Sequence, residues 1–71
     1  MKKIEVTDVF HNVNCIMVKP IDNPEQYIGE ILEHGGITYE IKSYEKVYHL
    51  FGNPRELSSV AFYVNVLGVL N

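Results

Sequence analysis

The sequence predicts a mainly β fold, and three stretches carry that prediction. The first follows Gly35-Gly36. Ile37, Tyr39 and Ile41 share one parity and Thr38, Glu40 and Lys42 the other. This is the alternation of a half-buried strand entered through a tight turn. The second is residues 57–70, Leu-Ser-Ser-Val-Ala-Phe-Tyr-Val-Asn-Val-Leu-Gly-Val-Leu, which hold no charge. Val60, Phe62, Val64 and Val66 fall on one face. Ala61, Tyr63, Asn65 and Leu67 fall on the other, which is also mostly apolar. A strand apolar on both faces is expected to be central, covered or at an interface. The third is the opening run, where Ile4 and Val6 alternate with Glu5 and Thr7, giving a strand over residues 3–10.

The remaining elements follow in order. His11-Asn12 and Asn14 are turn formers. Cys15-Ile-Met-Val18 is a second apolar run, stopped by Pro20, so a hairpin or two neighbouring strands are expected. Residues 22–35 support two readings. As a helix over about 23–34, Asn23 is the N-cap, Pro24 sits at N1, and Gln26 at N3. Tyr27, Ile28, Ile31 and Leu32 then form one apolar face, with Gly35 closing the helix. As β structure, Asp22-Asn-Pro24 is a turn and Gly29-Glu30 leads into a short strand at Ile31-Leu32. Further on, the parity slips near Ser43-Tyr44, which predicts a bulge. Phe51-Gly-Asn-Pro54 reads as a turn.

Seventy-one residues make one domain with a compact core. The formal net charge is −3, and the cations Lys2, Lys3, Lys19, Lys42, Lys46 and Arg55 are not clustered. Non-specific nucleic-acid binding needs clustered cations to displace counterions, so nucleic acid is disfavoured as a partner. Cys15 is the single cysteine, which excludes an intrachain disulfide and fits a reducing compartment. The opening Met-Lys-Lys-Ile-Glu-Val-Thr-Asp has no apolar segment of signal-peptide type, and the uncharged stretch is shorter than a membrane helix. The expectation is a cytoplasmic protein without a membrane segment.

Several pieces resemble one family. Val6-Thr-Asp-Val-Phe10 resembles the Val-x-Asp-Val-Phe opening of the second-domain β-barrel of translational GTPases such as elongation factor Tu. Gly29-Glu-Ile-Leu resembles its Gly-Asp-x-Val step, and Tyr39-Glu-Ile-Lys-Ser-Tyr-Glu45 the strand after it. Val60-Ala-Phe-Tyr-Val64 and Val66-Leu-Gly-Val69 resemble the closing strand and its end. The chain departs from the family in its second strand, Asn12–Lys19, which lacks glycine, and in Gly52-Asn-Pro-Arg-Glu-Leu57. No phosphate-binding Gly-x-x-x-x-Gly-Lys-Ser/Thr loop is present. The resemblance implies a small antiparallel β-barrel, and with it the β reading of residues 22–35. The alternative is an α+β domain with one helix at about 23–34.

Candidate chemistry is sparse. His11 and Cys15, four apart, would share a face of a continuous strand and could both ligate zinc, but a site needs further ligands. Cys15 lies in an apolar run that raises a thiol's pKa and quiets it. Ser43, Ser58 and Ser59 lack a nucleophile elbow. Glu30 and Glu33 read as solvated surface. Tyr39, Tyr44, Tyr48 and Tyr63, with Phe51 and Phe62, could form an aromatic patch, but Glu40 and Glu45 rather than cations neighbour them, so core packing is expected. No catalytic residue, metal or cofactor is implied.

The sequence therefore points to a small non-enzymatic interaction module that binds a protein partner or forms a homodimer. The expected interface is Tyr63, Val64, Val66, Leu67, Val69 and Leu70, because so apolar a strand on a small domain needs cover. An RNA or translation-machinery ligand is the alternative that the resemblance implies. A small enzyme is the third reading.

Overall fold

The computed structural model describes residues 4–49 and 56–69. It is mainly β. The strands are β1 (Val6–Phe10), β2 (Cys15–Val18), β3 (Ile31–His34), β4 (Ile37–Tyr48) and β5 (Leu57–Val69). Two single 3-10 turns, His11–Val13 and Pro24–Tyr27, link them. All pairings are antiparallel and the order is β1-β2-β5-β4-β3. The expected barrel takes the form of a curled half-barrel: β1 and β3 end the order and do not pair with each other. The expected Phe51–Pro54 turn and Leu70 lie outside the described residues.

The helix alternative for residues 23–34 is overturned. Asn23 makes no side-chain capping bond and sits at φ 56°, in the left-handed region. One 3-10 turn follows and stops before Gly29, whose φ of +87° no right-handed helix accepts. The Gly29 N–H instead reaches the Ile41 carbonyl at 2.8 Å, and the Ile41 N–H reaches the Glu30 carbonyl at 3.0 Å. Apolar spacing here suits either structure, and pairing with β4 decides between them. A helix would have buried Ile31 and Leu32 together. On the strand they part: Leu32 packs against the core and Ile31 is 58% exposed.

Gly35 and Gly36 form the turn between β3 and β4, flanked by the pair His34↔Ile37. Their φ values, +59° and +78°, are those of a type I′ turn, whose twist matches that of the strands it joins. The parity slip expected near Ser43 is a bulge. Ile41 pairs Val64 and Ser43 pairs Tyr63, leaving Lys42 as the extra residue. The core-facing set on β4 accordingly changes from Tyr39 and Ile41 to Tyr44. A second extra residue, Thr7, does the same on β1. Val6 and Val9 both pack against the core, and Phe10 is turned out at 46% exposure.

The core lies in the concave face. Ile16, Val18, Ile41, Val60 and Phe62 are fully buried there. Each contributes roughly 1.5–3 kcal/mol by leaving water. Tyr27 closes the core from the 3-10 turn, its ring edge-on to Phe62 at 6.0 Å. At ~3.3 Å per residue, β5 by itself runs about the full 42 Å length of the molecule. The β4–β5 pair is therefore the spine on which the other strands hang.

Candidate protein-docking surface

β2 is much shorter than β5, and this creates the candidate site. The β2–β5 ladder covers Val60 to Tyr63 and ends at Cys15↔Tyr63. One more bond follows, from the Val64 N–H to the Asn14 carbonyl at 2.9 Å. Asn14 is in the left-handed region at φ 50°, so the chain leaves the sheet there. Beyond Val64, β5 pairs among the described residues with β4, through Glu40↔Asn65, Tyr39↔Val66, Thr38↔Gly68 and Ile37↔Val69. Val66 is two residues beyond Val64, so its N–H and C=O aim to the same side as the Val64 N–H. No described strand pairs with β5 on that side. Leu67 is the extra residue of a bulge between Val66 and Gly68.

The expected interface residues divide accordingly. Val66, Leu67 and Val69 are exposed at 47%, 54% and 61% on this free stretch. Tyr63 is exposed at its base, on the convex face. Val64 is a core residue, buried with Phe62 and Ile41. Leu70 lies outside the described residues. Sequence reasoning missed Phe10 and Val13, which are exposed next to the same end of β5. Phe10 pairs with Cys15, and Cys15 with Tyr63, so the three form one row across the convex face. The signal that could have found Phe10 is the odd spacing of Val6 and Val9, which already implies a bulge in β1.

Tyr63 is held by Glu45: its hydroxyl donates to Glu45 Oε1 at 3.0 Å. That bond and the carboxylate's charge push the phenol's pKa up. Cys15 is buried beside them, and burial first and Glu45 second push its thiol up. A thiol so placed is a poor nucleophile.

The other residues considered for chemistry do not converge. His11 sits in a 3-10 turn before the left-handed Asn14, so it does not share a continuous strand with Cys15. Among the described residues, no group of three or more His, Cys, Asp or Glu is arranged to hold a metal. Tyr39 and Phe62 are in the core, Tyr44 packs against it, and Tyr48 and Tyr63 are exposed, so the aromatic residues make no single platform. Phe51 lies outside the described residues. Glu30 and Glu33 line an open groove of ≈ 260 Å³ with Ile4, Tyr27, Ile31 and Leu32. Among the described residues, no helix is long and apolar enough to cross a membrane.

No family model matches this chain, and no curated protein or solved structure matches it. The likeness to the second-domain barrel of translational GTPases rests on the sequence motifs alone.

Proposed function

We propose that this chain is a small non-enzymatic interaction module that docks a protein along the free side of β5, at Asn65–Val69. One observation carries the reading: among the described residues, this stretch of open strand edge holds no charge and exposes aliphatic side chains. Exposed edges are templates for pairing, and proteins blunt them with charge, bulges or brevity. β1 carries Asp8 and a bulge, after Glu5. β3 is four residues long and carries Glu33 and His34. The part of β4 beyond β3 carries Lys42, Glu45 and Lys46. Asn65–Val69 carries only the bulge at Leu67, and three of its five residues are exposed aliphatics. Strand addition would take backbone bonds from Val66 and cover those side chains.

Two of the three described cations stand beside carboxylates, which does not favour the RNA reading. Lys19 is paired with Glu5 at 2.9 Å, and Lys42 stands 3.9 Å from Glu40. Sedimentation of the full chain at micromolar concentration, with and without cell lysate, tests the docking reading. A larger species that Leu67→Lys abolishes is the expected result. A strict monomer that captures nothing overturns it.

A further inference from the structure

We draw no further inference here: the strongest candidate, the open groove that Glu30 and Glu33 line with Ile4, Tyr27, Ile31 and Leu32, joins an apolar lining to two carboxylates, and nothing in the structure shows what covers it.

Discussion

Tyr63 and Glu45 meet diagonally across β5 and β4, the phenol donating to the carboxylate at 3.0 Å on the convex face. Their direct partners are Ser43 and Ala61, so the bond ties two successive rows of the sheet. The bond favours the protonated phenol, which moves the Tyr63 pKa above its ordinary value of 10.0. Because the folded value is the higher one, the bond's contribution is complete below that ordinary value. It is lost as pH rises through the folded value. Carbon-labelled tyrosine NMR should show Tyr63 titrating at lower pH in Glu45→Gln than in the wild type. An unmoved resonance would contradict the assignment.

Cys15 should resist thiol reagents while the chain is folded. It is buried, between Phe10 and Tyr63 in the ladder, and burial and Glu45 both oppose the thiolate. Labelling by a maleimide should track global unfolding as denaturant is added. Fast labelling in native buffer would show that the row opens locally.

Phe62 is fully buried, meets Tyr27 edge-on, and stands between Ile16 and Tyr44 in the ladder. Phe62→Ala should cost about 3–5 kcal/mol. A domain of this size holds roughly 0.05–0.15 kcal/mol per residue, about 3.5–10.7 kcal/mol in all, so the variant should lose a large share of its stability. Ile16→Val, a single methyl in the same core, should cost about 0.5–1.5 kcal/mol. Urea unfolding followed by circular dichroism compares the two.

Gly35 has φ +59°, and no atom lies within 4 Å of where its Cβ would be, so substitutions there are opposed by backbone conformation alone. Gly35→Ala should cost about 1–2 kcal/mol, the penalty of a left-handed alanine. Gly35→Asn should be nearly neutral, because Asn-Gly is the favoured pair in a type I′ turn. Thermal unfolding of both variants separates conformational strain from a steric clash, which would make Asn the worse substitution.

Much of the fold was legible in local pattern. Ile37–Ile41 and Val60–Val64 alternate, and both lie in strands as expected. The parity slip near Ser43 marked a real bulge, placed at Lys42. The stretch from Asp22 to Gly35 was not decidable locally. Its caps and apolar spacing suit a helix, and its glycines suit turns. The candidate site was half legible. The missing charge of residues 57–69 is visible in the sequence, but Val64 alternates with Val66 and the pattern does not say which of them is buried.

What the sequence by itself determined is period and charge: which residues alternate, where turns fall, and which strand is left uncharged. These are properties of neighbours along the chain. What only the tertiary structure decided is pairing and length. The Gly29 and Ile41 hydrogen bonds made residues 31–34 a strand. The stop of β2 at Cys15 left Val66, Leu67 and Val69 without a described strand on one side while Val64 kept a bond to Asn14. The physical reason is that a backbone N–H is satisfied by whichever carbonyl reaches it, and that carbonyl can lie far away along the chain.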